Sequence, residues 1–166
     1  MNSVVVVIII VLVVFVGIIY NSLVKARNNV REKCYNLEFY LKKRWDLLPI
    51  FVEIVEGYSF FEEQTIEKIA KIREQKYEEF KIEQKLEVDN NISKVVNKIF
   101  EIAENYSDLK ENEEYIKLSN QFVNIEKNIE SSKKDYYKSV KEYNSKIEVV
   151  PNNVVAILFG FNEEKW

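Results

Sequence analysis

The chain has 166 residues, and its 24 Lys and Arg residues nearly balance 27 Asp and Glu residues, which leaves a net charge of −3 and does not favour a nucleic-acid partner. It contains no histidine, which removes the usual general base near neutral pH and the commonest transition-metal ligand. A single cysteine, Cys34, excludes an intrachain disulfide and a zinc site built from cysteines.

The first predicted element is an uninterrupted apolar segment near the N-terminus. Residues 4–19 read VVVVIIIVLVVFVGII and contain no charge, amide or hydroxyl. With their flanks they are long enough, at about 1.5 Å per helical residue, to cross a hydrocarbon core about 30 Å thick. We therefore predict a single transmembrane anchor over residues 1–22, with the lipid bilayer as its partner, and a helical domain over residues 23–166.

A cleaved signal peptide is the alternative for this segment. Such a peptide has a basic start, an apolar core of about 7–15 residues and a cleavage site of small residues. Here Met1-Asn2-Ser3 carries no charged side chain, and Leu23 and Val24 stand where small residues are needed. These features favour an anchor that is retained.

Basic residues follow the apolar segment closely, at Lys25, Arg27, Arg31 and Lys33. Basic flanks of a membrane span tend to stay on the cytoplasmic side. We therefore predict a single-pass protein of the cell membrane whose N-terminus lies outside and whose C-terminal domain is cytoplasmic. The same residues would attract anionic headgroups, at about 1 kcal/mol for each residue close to the surface.

The next apolar residues follow one another in steps of three or four along one helix face. They are Val30, Cys34, Leu37, Leu41, Trp45, Leu48, Val52 and Val55, and Leu23 precedes them. Pro49 falls within this stripe and predicts either a bend or a new helix capped by Asp46. Residues 57–59, Gly-Tyr-Ser, are the predicted end.

Three further helical stretches are predicted, each with its own apolar face. The first face carries Ile66, Ile69, Ala70, Tyr77 and Phe80; the second carries Ile92, Val95, Ile99, Ile102 and Tyr106; the third carries Tyr115, Leu118, Phe122, Ile125, Ile129, Ser132, Tyr136, Val140, Tyr143 and Ile147. Residues 89–91 and 107–110 are predicted as a break and a loop, and Pro151 is predicted to end the last helix.

An apolar tail over residues 154–161 closes the chain, and it is too short to span a bilayer as a helix. It would cover one end of the domain, touch the membrane or pair with another copy. Together these elements predict an all-α protein, in which a single N-terminal transmembrane helix is followed by an antiparallel bundle of about four helices with coiled-coil-like packing.

Several strings in this order resemble those of the LemA family. They are residues 20–30 (YNSLVKARNNV), 41–49 (LKKRWDLLP), 52–53 (VE), 57–58 (GY), 106–110 (YSDLK), 126–129 (EKNI), 143–144 (YN), 151–153 (PNN) and 160–161 (GF). The resemblance implies one transmembrane helix, a short outer N-terminus and a bundle of about four helices, and it implies no activity. Cys34, Ser107 and Lys134 depart from it, since the family often has Trp, Pro and Arg at those places.

Few polar residues are candidates for a functional site. The run Lys42-Lys43-Arg44 is either a solvated helix face or a contact for an acidic partner or an anion. Cys34 lies on the apolar stripe and is predicted to be a small buried side chain rather than a reactive thiol. Asn28 is expected to hydrogen-bond across helices. Three glutamate pairs are interpreted as solvated helix faces rather than divalent-cation ligands, at residues 62–63, 78–79 and 113–114.

Nothing in the sequence matches a catalytic constellation. Without histidine there is no Ser-His, Cys-His or Glu-x-x-His arrangement, and the glycines at 17, 57 and 160 are isolated rather than gathered in a phosphate-binding loop. We therefore predict no catalytic, cofactor-binding or metal-binding residue, and we expect the protein not to be an enzyme. A metal-dependent hydrolase would require several carboxylates gathered around one cation.

Two hypotheses for function follow. The first is a scaffold or adaptor at the cell membrane, which presents a rigid helical bundle to a protein partner or to another copy of itself. The alternative is a lipid-interacting protein that organises the membrane through its basic juxtamembrane residues and its apolar C-terminal tail.

Overall fold

The computed structural model describes residues 3–56 and 76–164, and these residues are helical without any strand. The helices are α1 (Ser3–Glu56), α2 (Ile82–Glu104), α3 (Ser107–Glu111), α4 (Glu113–Glu148) and α5 (Asn152–Phe159), and a short 3₁₀ turn at Tyr77–Glu79 precedes α2. The predicted all-α class is thereby confirmed. The chain divides into two compact units.

The first unit holds residues 3–35 and 132–164. Its large apolar side chains between Val4 and Phe15, together with Ile18, are between 42% and 67% exposed, and the helix is long and apolar enough to cross a membrane. Its buried core begins only after this segment. That core contains Ile19, Leu23, Val30, Tyr136, Val140, Tyr143, Ile147, Val155 and Ala156.

The second unit holds residues 36–131 and contains the rest of α1, α2, α3 and the first part of α4. Phe51 lies at its centre, with ring centroids 4.8 Å from Phe122, 5.6 Å from Tyr115 and 5.9 Å from Phe100. The contacts of Glu38 with Lys85 and of Phe51 with Phe100 show that α1 and α2 run parallel here. Because α4 meets Arg44 through Glu126 and then Phe51 through Phe122 and Tyr115, it runs antiparallel to both.

The predicted apolar stripe of α1 is buried at Leu23, Val30, Leu37, Leu41, Leu48, Val52 and Val55. Cys34 and Trp45, which belong to the same predicted stripe, are only half-buried. A new helix capped by Asp46 was the alternative at Pro49, and it is wrong, because α1 continues through the proline to Glu56. A proline inside a helix removes one backbone hydrogen bond, and the burial of Leu48 directly before it and of Phe51 and Val52 on the following turn stabilises the helix against that loss.

The predicted break at residues 89–91 is also wrong, because α2 passes through these residues without interruption. Its buried positions begin at Lys85 and Val88 and continue through Ile92 and Val95. Lys85 occupies a stripe position as a charged residue that is paired inside the protein. A search for apolar spacing alone therefore follows the stripe back only as far as Val88, one turn before Ile92.

The helical stretch predicted from Glu62 to Phe80 falls mainly on residues outside the described ranges, as do the predicted helix end at residues 57–59 and the glutamate pair 62–63. The part that is described, Tyr77–Glu79, is a 3₁₀ turn followed by the extended residue Phe80. Tyr77 is buried, as its place on the predicted face implied.

The predicted loop at residues 107–110 is instead one helical turn, α3, because Leu109 turns inward and is fully buried. The last long helix is confirmed, and every apolar member of its predicted stripe is buried. Its start is fixed by Asn112, whose side-chain oxygen accepts the backbone N–H of Tyr115 at 2.9 Å. The helix ends at Glu148, ahead of Pro151, and the Val150–Pro151 peptide bond is cis.

Candidate functional site

A buried charged cluster lies within the second unit, centred on Arg44 of α1. Its guanidinium donates to Asp89 of α2 at 2.9 Å and lies 3.5 Å from a carboxylate oxygen of Glu126 on α4. The Arg44 side chain is only 2% exposed. A buried guanidinium needs such partners, because an isolated charge inside a protein is costly. Arg44 therefore links three helices through its charge.

A second pair extends this cluster to Glu38, which lies six residues before Arg44 on α1. Lys85 of α2 donates to Glu38 at 2.7 Å, and its ammonium lies 5.6 Å from the centre of the Tyr77 ring. Tyr77 stacks on Trp45, with ring centroids 4.7 Å apart and an angle of 28° between the planes. These contacts place the segment before α2 against the middle of α1.

The Tyr77 hydroxyl is buried and finds no hydrogen-bond partner among the described residues. Burial raises the pKa of this phenol, and the nearby carboxylates of Asp89 and Glu38 raise it further, because both effects disfavour a phenolate. Tyr77 is therefore neutral throughout the physiological range. A phenol held in this way packs against its neighbours and does not transfer protons near neutral pH.

Lys42 lies at the surface of the same cluster, 2.8 Å from Glu78 and 3.0 Å from Asp46. The hydrogen bond to Glu78, followed by that to Asp46, raises the pKa of the Lys42 ammonium. The same hydrogen bond lowers the pKa of the Glu78 carboxyl. This pair is exposed, so it contributes little to stability compared with the buried Arg44 cluster.

These contacts change the interpretation of the run Lys42-Lys43-Arg44. Of the two predicted roles, a solvated face holds only for Lys43, which is exposed. The acidic groups that meet Arg44 and Lys42 belong to the chain itself, at Asp89, Glu126, Glu78 and Asp46. The run therefore orders the domain internally.

The other residues singled out by the sequence stay apart from this cluster. Asn28 is exposed, which does not favour the predicted hydrogen bond between helices, and Cys34 is half-buried. The glutamate pairs 78–79 and 113–114 are exposed, as a solvated face requires. Across residues 3–56 and 76–164, no three His, Cys, Asp or Glu side chains are arranged to hold a metal ion.

A second candidate site lies in the first unit, where the chain turns at the end of α5. Gly160 adopts a left-handed conformation with φ of 70°, which costs glycine little and other residues more. Its N–H donates to the Ile157 carbonyl at 3.4 Å, and the N–H of Phe161 donates to the Ala156 carbonyl at 2.9 Å. This pattern is a Schellman motif, and it turns Phe161 back towards the helix.

The residues after this turn are held by side chains of α4. The Tyr143 hydroxyl donates to the backbone carbonyl of Asn162 at 3.0 Å. Asn144 makes two hydrogen bonds to the backbone of Glu164, one to its carbonyl at 2.9 Å and one from its N–H at 3.0 Å. The carboxylate of Glu164 in turn lies 3.7 Å from Arg27 of α1. Hydrogen bonds thus hold the backbone of the C-terminal segment, and an ion pair holds the side chain of Glu164.

The result is an aromatic contact at the end of the apolar part of α1. The ring of Tyr20 lies 5.0 Å from that of Phe159 and 5.6 Å from that of Phe161, in tilted and edge-on arrangements. Val155 and Ala156 are the buried side chains of α5, which agrees with the first of the three predicted roles, that the tail covers one end of the domain. The opposite face of α5 is uncovered, and it presents Val154, Ile157 and Leu158.

Reasoning from sequence missed the roles of Asn144 and Gly160, although both lie in strings used for the family resemblance. The signal for Gly160 was present, because a glycine directly after an apolar helical run is a common helix end. No local signal marks Asn144, since its partner is backbone twenty residues further along the chain.

The fold defines a class: a helical-bundle protein whose first helix begins with an exposed apolar segment long enough to span a membrane. The sequence model of the LemA family matches residues 33–166, which is most of the chain, and the protein belongs to this family. The matched range includes every string noted above except residues 20–30, which precede it. No curated protein matches the chain.

Proposed function

We propose that this protein is a membrane-anchored helical scaffold, which presents its bundle to a protein partner or to another copy without catalysing a reaction itself. Residues 1–22 form the single-pass anchor and residues 23–166 form the domain. The N-terminus lies outside the cell membrane and the domain lies in the cytoplasm.

The observation that carries this proposal is the exposed apolar segment of α1. Large aliphatic side chains over residues 4–18 face outward around the helix rather than along one stripe. Exposed apolar patches beyond a few hundred Å² are rare on soluble monomers, and a helix that is apolar all round is typical of a membrane span. The basic residues Lys25, Arg27 and Arg31 follow it, which supports a cytoplasmic domain.

The ion pairs that α1 makes within the second unit support a scaffold. α1 ends at Glu56. Its later turns carry Arg44, whose buried ion pairs order the helices of the second unit. A helix with internal ionic partners keeps a defined surface for other proteins.

The membrane part of the proposal is tested by extraction and by reporter fusions. The full chain should stay in the membrane pellet after alkaline carbonate washing. A C-terminal fusion should be active with a reporter that works only in the cytoplasm and inactive with one that works only outside. A protein found in the wash, or external activity of the reporter, would contradict the anchor or the orientation respectively.

The scaffold part is tested by photo-crosslinking in living cells. Phe39 is 61% exposed on α1 and is a suitable position for a photoreactive phenylalanine analogue. We expect discrete adducts with one partner or with a second copy. Lys127, exposed on α4, provides the control position. Uncrosslinked monomer at both positions, under conditions in which the protein remains in the membrane, would count against a scaffold.

A further inference from the structure

The uncovered face of α5 is apolar and carries no charge. From Val149 to Phe161 the chain contains no Asp, Glu, Lys or Arg. Ile157 and Leu158 are 80% and 72% exposed, and Val154 lies one turn before them on the same face. The helix is firmly held from its other side, since Val155 and Ala156 are buried. These side chains are thus exposed on a helix that is itself packed against the domain.

The position of α5 along α1 identifies what covers this face. Phe159 and Phe161 contact Tyr20, and Tyr20 directly follows the apolar segment. The first basic residue, Lys25, lies only five residues further on, about 7.5 Å along the helix axis. Tyrosine is enriched at the boundary between hydrocarbon and water. The end of α5 therefore lies at the level where α1 changes from apolar to polar surface.

We propose that α5 is an interfacial helix, whose face of Val154, Ile157 and Leu158 inserts into the headgroup–acyl boundary of the leaflet where α1 leaves the bilayer. The inference rests on the proposed membrane anchor. Its uncharged stretch of thirteen residues, Val149–Phe161, is too short to cross the membrane, so it lies in the plane of the interface. The occupant is lipid, because the exposed Phe159, which follows this face, contacts Tyr20 at the end of the exposed apolar surface of α1.

The hydrogen bonds around the C-terminal segment fix the orientation of this helix relative to α4. The turn at Gly160, together with Tyr143 and Asn144, holds the chain after α5 against α4. Arg27 lies 3.7 Å from the carboxylate of Glu164 and offsets its charge. The bundle would therefore contact the bilayer at two places, α1 and α5, and two contacts restrict its tilt more than one does.

The test uses the full chain in lipid nanodiscs that contain anionic lipid. In a Cys34→Ala background, a nitroxide is attached at Leu158→Cys, at Val11→Cys in the apolar segment and at Lys141→Cys on the exposed surface of α4. Oxygen partitions into the bilayer and a nickel chelate into water. The ratio of oxygen accessibility to nickel-chelate accessibility at the nitroxide therefore rises with its depth in the bilayer. We expect the ratio at position 158 to exceed that at position 141 severalfold and to lie below that at position 11.

Each outcome decides between the two proposals. A water-like ratio at position 158 beside a deep signal at position 11 overturns the interfacial helix and leaves the anchor standing. Water-like ratios at both positions overturn the anchor itself. Low access of both reagents at position 158 means that protein covers the face, which also overturns the inference.

A second variant keeps the inference testable if the label itself disturbs α5. With the nitroxide at Val154→Cys, the double substitution Ile157→Lys and Leu158→Lys should shift the ratio severalfold towards water. Both side chains are exposed, so the fold should tolerate the change. The matched control, Ile116→Lys with Val123→Lys, replaces two exposed apolar residues of α4 and should leave the ratio unchanged. If the accessibility ratio at position 154 were the same in the α5 variant and the α4 control, the proposal would be contradicted.

Discussion

Arg44 and Asp89 meet 45 positions apart in the chain, at 2.9 Å, and the arginine is almost completely buried. Taking two charges out of water is unfavourable, and their attraction offsets that cost only while both partners are present. The consequence is an asymmetry at the level of single residues. Removing one partner leaves the other charge buried, whereas removing both leaves no unpaired charge at these two positions.

Arg44→Met should lower the free energy of unfolding by about 3–5 kcal/mol, because Asp89 loses its principal cation. Denaturant unfolding of the full chain in detergent micelles, followed by far-UV circular dichroism, measures the change. Adding Asp89→Asn should restore part of the loss. Lys98→Met, which breaks the exposed pair with Glu101, should cost less than about 1 kcal/mol. Equal losses for Arg44→Met and Lys98→Met would show that the buried cluster does not stabilise the fold.

The buried phenol of Tyr77 predicts a loss of stability in alkaline solution. Its pKa is raised in the folded protein, chiefly by burial, so above about pH 10 the unfolded chain releases this proton while the folded chain retains it. The unfolded state then binds fewer protons, and the free energy of unfolding falls as the pH rises. Burial also raises the pKa of Tyr115 and Tyr143, which contribute in the same direction.

Tyr77→Phe should therefore flatten, without abolishing, the decline in stability between about pH 10 and 11. At pH 7 it should leave stability unchanged or raise it by about 1 kcal/mol, since the hydroxyl is buried without a partner among the described residues. Denaturant titrations at both pH values measure this. Tyr106→Phe, which removes an exposed hydroxyl, is the control. A steeper alkaline decline in Tyr77→Phe would refute the assignment.

At the scale of elements, α5 depends on how its last turn is closed. The Schellman hydrogen bonds from Gly160 and Phe161 satisfy two of the carbonyls that the end of a helix leaves without an intrahelical partner. The turn requires a positive φ at Gly160, and it brings Phe161 onto Tyr20. A single glycine therefore links the end of a short helix to the position of an aromatic contact.

Gly160→Ala should destabilise the closed turn by about 1–2 kcal/mol, because a Cβ is unfavourable in the left-handed region. Amide hydrogen exchange across α5 should then be faster by about 5–30-fold, the factor that corresponds to this free energy. The control is Gly17→Ala, where an added Cβ meets no atom within 4 Å. It should leave exchange in α5 unchanged, and equal exchange rates in the two variants would argue against a capping role for Gly160.

Across the whole molecule, the helix faces with regularly spaced apolar residues were predicted from the sequence. The buried ion pairs between residues far apart in the chain were not. The stripe of α4 from Tyr115 to Ile147 was found because each member lies three or four residues from the next, and all its apolar members are buried. The continuity of α2 was missed because the polar residues around Val88 hide its place in the stripe, and because Lys85 takes a core position only through Glu38, 47 residues away. The same holds for Arg44, which resembled a surface charge until Asp89 was placed beside it.

The orientation proposed for the whole chain follows from charge, and redistribution of charge should change it. Replacing Lys25, Arg31 and Lys33 by Asn while placing Lys at positions 2 and 3 moves the basic excess to the other side of the apolar segment. Since basic residues near a span remain cytoplasmic, a substantial fraction of the molecules should invert. Arg27 is retained, because it lies beside Glu164 and its loss would also disturb the C-terminal segment. Paired C-terminal reporters, one active inside and one outside, measure the inverted fraction.

The control replaces Lys133, Lys134 and Lys138 by Asn. It removes the same number of basic residues far from the apolar segment in sequence, and it should keep the original orientation. If neither variant inverts, the basic flank does not set the orientation, and the cytoplasmic placement of the domain loses its physical basis.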